Sequence, residues 1–140
     1  MTYIDTSALV AYYCPEPLSD AAERALRQAD RPTISALVEV EFCSALAIKM
    51  RTGDMDMESA QRILSCFRMH IADRLFTSVP IAAREYAAAC QWIGAFAMPL
   101  RTVDALHLAA AFANELALLT ADKALARSAE HFGVACQLLT

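Results

Sequence analysis

Residues 3–10 read YIDTSALV, and this stretch decides the fold. Tyr3 and Ile4 favour a strand, Asp5 is a lone carboxylate, Thr6 and Ser7 bring hydroxyls able to cap a helix, and an apolar helix follows. An acid therefore stands where a strand becomes a helix. In an open parallel sheet, ligands bind in the crevice outside the carboxyl ends of the strands, so Asp5 is placed for chemistry. Taken alone it reads more readily as a plain helix cap.

The pattern repeats outward along the chain. Pro15-Glu16-Pro17 stops the first helix, and Ser19 or Asp20 can cap a second one through about Asp30. Pro32-Thr33-Ile34-Ser35 reads as a short strand, with Ser35 capping a long apolar helix that ends near Gly53. Asp54 or Asp56 opens a helix in which Ala60, Ile63, Leu64, Phe67 and Ile71 form a stripe, either core or partner surface. Phe76-Thr77-Ser78-Val79 is a brief strand stopped by Pro80. The next helix carries Tyr86, Cys90, Ile93 and Ala97 on one face and ends at Pro99. Thr102 can cap the helix bearing Asp104 and His107, and Leu116 to Thr120 is a buried strand. Asp122 leads into a helix through about His131, and Val134 to Leu138 closes the sheet. Strands alternating with helices, without hairpin turns, predict an α/β fold with a mainly parallel sheet. No repeat or boundary divides the chain, so residues 1–140 are expected to form a single domain.

The composition agrees. The chain has 140 residues, 57% of them hydrophobic and only three Gly, enough apolar side chain to fill one core. Its longest uncharged run, Tyr86 to Leu100, is fifteen residues, short of the roughly twenty that cross a bilayer. No basic segment precedes an apolar run at the amino terminus, so a cytoplasmic address is expected. The five cysteines are scattered, never form C-x-x-C and read as small buried hydrophobes. Cys and His spacing does not suit a structural zinc site. The net charge of −4 argues against a broad cationic face, although ten of the twelve basic residues are Arg, suited to phosphate.

Four carboxylates can meet at one edge of such a sheet. Asp5 and Asp122 follow strands, and Asp104 lies in the first turn of a helix running back to the same edge. Glu41 lies six residues after Ser35, about 8 Å along its helix and still within reach. Helical geometry does not choose between Glu39 and Glu41, which project roughly 160° apart on a helix that is apolar nearly all round.

The opening YIDTSALV, with ISALVEVEFCSAL, RTVDALHLAAA and LLTADKALA, resembles the four acidic motifs of the PIN-domain ribonucleases, in particular the VapC-like toxins of type II toxin–antitoxin systems. The resemblance runs from Tyr3 to about Leu138. It implies a three-layer PIN-like fold with a five-stranded sheet in the order 3-2-1-4-5. It assigns Asp5, Glu41, Asp104 and Asp122 as the acidic centre, makes Glu39 structural, and adds Thr120 as a polar neighbour. Two features depart from the family pattern: Val40 precedes Glu41, and the Asp122 loop reads TADKAL where a Phe commonly follows.

These residues suit metal-assisted phosphodiester hydrolysis. Two like charges about 5 Å apart repel by roughly 3 kcal/mol at an effective dielectric near 20, so clustered carboxylates take up protons or a cation. Oxygen-only donors favour Mg²⁺ or Mn²⁺, with Asp5 and Asp122 as the expected direct ligands, Asp104 as a third ligand or the group that orients the water, and Glu41 behind them or at a second ion. The resemblance implies an endoribonuclease that leaves a 5′-phosphate and a 3′-hydroxyl on its RNA substrate. Arg101 and Lys123, each near a site acid, are candidates to hold substrate phosphates. His107, one turn after Asp104, reads as a structural imidazole rather than a general base. A haloacid-dehalogenase-type site would need a second Asp where Ser7 stands, and a receiver-type site would need an acid near Ser78-Val79-Pro80. A catalytically silent PIN-like module that binds RNA or protein is the remaining alternative. The apolar surface predicts an antitoxin partner, and the Ile63, Phe67, Ile71 stripe with the face near Trp92 predicts a homodimer.

Overall fold

The first strand, β1 (Thr2–Ile4), lies at the centre of a five-stranded sheet, with Tyr3 and Ile4 fully buried. The computed structural model describes residues 1–140. Along the chain follow α1 (Thr6–Tyr13), α2 (Ser19–Gln28), β2 (Pro32–Ile34), α3 (Ala36–Arg51), α4 (Met57–Ala72) and β3 (Thr77–Ser78). Then come α5 (Ala83–Gly94), α6 (Thr102–Ala113), β4 (Ala117–Thr120), α7 (Lys123–His131) and β5 (Cys136–Leu138). The strand order is β3-β2-β1-β4-β5 and every pairing is parallel. This is the expected three-layer fold, and it aligns the carboxyl ends of all strands on one edge. No helix is long and apolar enough to cross a membrane.

The central strands are short apolar runs because helices cover both faces of the sheet. Tyr3 pairs in register with Thr33 on one side and Leu118 on the other, and Leu118 and Leu119 are buried with it. On one flank, α1, α3 and α4 meet in an aromatic cluster. The Phe42 and Phe67 rings lie 4.5 Å apart, with Tyr13 at 5.5 and 5.3 Å from them. Phe67, the centre of the α4 stripe, is therefore core, and Ile63, Leu64 and Ile71 pack partly against it. On the other flank α5 packs on α6, and Trp92 stacks on Phe132 at 5.0 Å.

Several local expectations are corrected. Asp5 itself caps α1, accepting from the Ala8 N–H, while Thr6 and Ser7 turn their hydroxyls to other partners. Ser19 is the first residue of α2 rather than its cap; its hydroxyl accepts from the Glu16 N–H and donates to the Cys14 carbonyl. The helix also ends at Gln28, short of Asp30. Ser35 holds the cap position of α3 without capping it, because its hydroxyl bonds to Tyr3. Thr102 begins α6 instead of capping it, and Asp56 rather than Asp54 caps α4. On α5 the buried residues are Glu85 and Ala89; Tyr86 and Cys90 are exposed and Ala97 lies past its end. Glu85 can be buried because its carboxylate accepts from the Ala82 N–H and from Arg84. Of the cysteines, only Cys14 is fully buried. Gly53, at φ +80, follows α3 as a left-handed stop that few other residues adopt.

Candidate active site

The sheet edge carries an open cleft of about 520 Å³, and Asp5, Glu41, Asp104 and Asp122 all line it. Asp5 is delivered by the step from β1 into α1 and is only 3% exposed. Its Oδ1 accepts from Ser7 Oγ at 2.7 Å and the Ala8 N–H at 3.0 Å, and its Oδ2 accepts from Thr120 Oγ1 at 2.7 Å. Burial pushes the Asp5 carboxyl up, and these hydrogen bonds oppose that shift without cancelling it.

Asp122 is delivered by the step from β4 into α7. It caps α7, with Oδ1 accepting from the Ala124 and Leu125 N–H groups at 2.8 and 3.2 Å. Its own N–H donates to Thr120 Oγ1 at 3.0 Å, so Thr120 ties the two acids of neighbouring strands together. Thr120 is fully buried behind Asp5 and lies off the cleft wall. Asp104 sits in the first turn of α6, where Arg101 Nε meets its Oδ2 at 3.1 Å. Arg101 also reaches Asp122 Oδ2, at 3.7 Å, although the Arg side chain is 77% exposed. Lys123 is exposed and lines a separate hollow with Arg127.

Of the two α3 acids, Glu41 lines the cleft and Glu39 lies exposed on another side of the helix. Glu41 Oε1 accepts from Thr6 Oγ1 at 2.7 Å and from His107 Nε2. Burial acts to raise the Glu41 carboxyl, but the His107 and Thr6 hydrogen bonds outweigh it and hold Glu41 below the usual carboxylate range. His107 is buried, with Nδ1 2.8 Å from the Tyr3 hydroxyl, which lies 2.7 Å from Ser35 Oγ. Sequence reasoning left Tyr3, Thr6, Ser7 and Ser35 out of the site. Tyr3 and Asp5 share a strand face at i and i+2, and Asp104 and His107 share a helix face at i and i+3; both signals were available.

The donors present fit a hard divalent ion. They are carboxylate oxygens throughout, and Glu41 Oε2 and Asp104 Oδ1 have no partner in the protein. No three side chains already converge as a ligand set, because Asp5 is turned to its own hydrogen bonds and Arg101 lies against Asp104 and Asp122. Mg²⁺ does not require such convergence, since one or two carboxylates commonly hold it with waters completing the shell.

The family model for the PIN domain matches residues 2–130. The chain belongs to the PIN-domain family. This PIN domain is similar in fold to FitAcB from Neisseria gonorrhoeae, with a TM-score of 0.76 at 17% identity over 97% of this chain and 96% of that one. It is also similar to a toxin–antitoxin complex from Klebsiella pneumoniae, with a TM-score of 0.64 at 18% identity over 87% of each chain. VapC20 from Mycobacterium tuberculosis, a sarcin-ricin loop cleaving toxin, superposes with a TM-score of 0.70 at 15% identity over 91% of this chain and 95% of that one. At such identities the likeness is one of fold. No curated protein matches the sequence.

Proposed function

We propose that this PIN domain is a Mg²⁺- or Mn²⁺-dependent endoribonuclease and the toxin of a type II toxin–antitoxin pair. The observation that carries the reading is that four acids from four separate elements, Asp5, Glu41, Asp104 and Asp122, line one cleft at the carboxyl edge of a parallel sheet. Asp5, Asp104 and Asp122 would hold the ion. Such an ion, when bound, polarises the scissile phosphate and makes water a competent nucleophile near neutral pH. Thr120 and Ser7 orient Asp5, and the α7 N–H groups orient Asp122. Glu41 Oε2 is free to accept a hydrogen bond from the attacking water. Water oxygen would bond to phosphorus and give up one proton to the solvent, the bond from phosphorus to the 3′-oxygen would break, and that oxygen would take up one proton from solvent, leaving a 3′-hydroxyl and a 5′-phosphate. Arg101, released from Asp104 and Asp122, would meet a substrate phosphate, and Lys123, in the separate hollow with Arg127, would offer a second cation to RNA extending beyond the cleft.

The toxin role draws support from the Klebsiella pneumoniae toxin–antitoxin complex and from the cleaving toxin of Mycobacterium tuberculosis. Exposed Val40, Tyr86 and Phe96 offer apolar surface to an antitoxin and to a second copy in a homodimer. A cytoplasmic location fits an enzyme acting on cellular RNA. One observation favours a catalytically silent module instead: the single positive charge of Arg101 already lies against two of the four acids.

The deciding experiment is RNA cleavage with Mg²⁺ or Mn²⁺ and with chelator, by the wild type and by Asp5→Asn, Asp104→Asn and Asp122→Asn. Cleavage is expected in the wild type with metal and to be lost in each folded variant. Cleavage that persists in chelator, or in two of the three variants at near wild-type rate, refutes the metal-nuclease reading. A wild type inactive on RNA under all conditions supports the silent module.

A further inference from the structure

His107 is the largest polar group near the cleft that the chemistry above does not use. Both its nitrogens are engaged and it is 2% exposed, so it has no free nitrogen with which to take a proton from a substrate or a water. It belongs to a buried chain that crosses three layers of the fold: Ser35 before α3, Tyr3 on β1, His107 on α6 and Glu41 on α3. No buried side-chain polar atom anywhere in the protein lacks a partner, so the chain is complete.

The direction of each bond follows from its end point. Glu41 Oε1 already accepts from the Thr6 hydroxyl, and a carboxylate oxygen that takes a second partner there does so as an acceptor. His107 Nε2 therefore carries a proton and donates; in the neutral ring Nδ1 is then the acceptor for the Tyr3 O–H, and Ser35 O–H donates to the Tyr3 oxygen. His107 and Thr6 both bond to Oε1 of Glu41, so Oε2 is the oxygen left without a protein partner on a residue lining the cleft.

We infer that His107, braced by Tyr3 and Ser35, is a positioning residue that donates to Glu41 Oε1 and thereby presents Oε2 to the reacting groups in the cleft. The catalytic consequence rests on the nuclease reading; the hydrogen-bond chain does not. A ring held at both nitrogens cannot rotate, and a carboxylate fixed at one oxygen has one orientation to offer.

Two measurements test this on the full-length protein. The first uses no substrate or metal: long-range ¹H–¹⁵N NMR of the imidazoles. His107 is expected as a single Nε2–H tautomer whose Nε2 signal moves in Glu41→Gln. An Nδ1–H tautomer, or two tautomers averaging, overturns the inference. The second compares His107→Gln, whose amide can still donate near the Nε2 position, with His107→Leu, which cannot. With an RNA oligonucleotide and Mn²⁺, kcat is expected to fall about 10–100-fold in His107→Leu at nearly unchanged KM, and the Gln variant to recover most of that loss. Equal kcat in the two folded variants, at any level, overturns the positioning role. Should His107→Leu fail to fold, the tautomer decides alone. If the wild type does not cleave RNA, the nuclease reading falls while the tautomer still tests the chain.

Discussion

Replacing Tyr3 by Phe tests the buried chain through stability alone. The change removes one oxygen, 2.7 Å from Ser35 Oγ and 2.8 Å from His107 Nδ1, among residues that are 0%, 1% and 2% exposed. Two hydrogen bonds are lost and two buried polar atoms are left without this partner. Each such orphaned group costs about 1–3 kcal/mol. The Ser35 hydroxyl can rotate toward another acceptor, which puts it at the low end. The His107 ring cannot turn without breaking its bond to Glu41, which puts Nδ1 toward the high end. The sum is about 3 kcal/mol, or roughly 10 °C in Tm for a domain of this size. Urea denaturation of metal-free protein at neutral pH measures it directly, with Tyr12→Phe as the control, since Tyr12 is 37% exposed. A Tyr3→Phe variant within about 0.5 kcal/mol of wild type would show that the two buried hydrogen bonds do not stabilise the fold, and the reasoning fails.

Asp5→Asn should separate function from folding through pH. Because burial raises the Asp5 carboxyl, the folded protein holds that proton where the unfolded chain has lost it, so metal-free wild type loses stability as pH rises from the ordinary carboxylate range through the raised value. Asp5→Asn lacks that loss, so its Tm relative to wild type climbs with pH; a flat or falling difference contradicts the assignment. Glu41 has the opposite sign: its lowered carboxyl contributes stability that is present above the unfolded value and lost as pH falls through the folded one, so Glu41→Gln should flatten the acid side of the Tm profile. Arg101→Gln removes the cation lying against Asp104 and Asp122, and Mn²⁺ titration by calorimetry should show severalfold tighter binding with Tm unchanged; weaker binding would mean that Arg101 does not compete with the ion. Asp122→Ala should cost about 1 kcal/mol through loss of the α7 cap, which Asp122→Asn retains. Equal chemical denaturation midpoints for the two would argue against the cap.

The order of strands and helices was legible along the chain because each element announces itself locally. Runs such as Leu116 to Thr120 have the length and continuous apolar character of a buried strand, and Pro15, Gly53, Pro80 and Pro99 punctuate the elements. The positions of Asp5, Asp104 and Asp122 follow from the same local signals, since a parallel sheet brings strand ends and helix starts to one edge. Three decisions needed tertiary contact. Glu41 faces the cleft and Glu39 does not, which periodicity could not say of a helix apolar on nearly every side. Ser35 and Thr6 spend their hydroxyls on Tyr3 and Glu41 instead of capping, because a side-chain partner brought by another element competes with the local backbone. His107 joins Glu41 across sixty-six positions of sequence, and Arg101 spans two acids from different elements. A hydrogen bond is set by distances of a few tenths of an ångström between atoms far apart in the chain, and only the packed sheet and helices fix those distances.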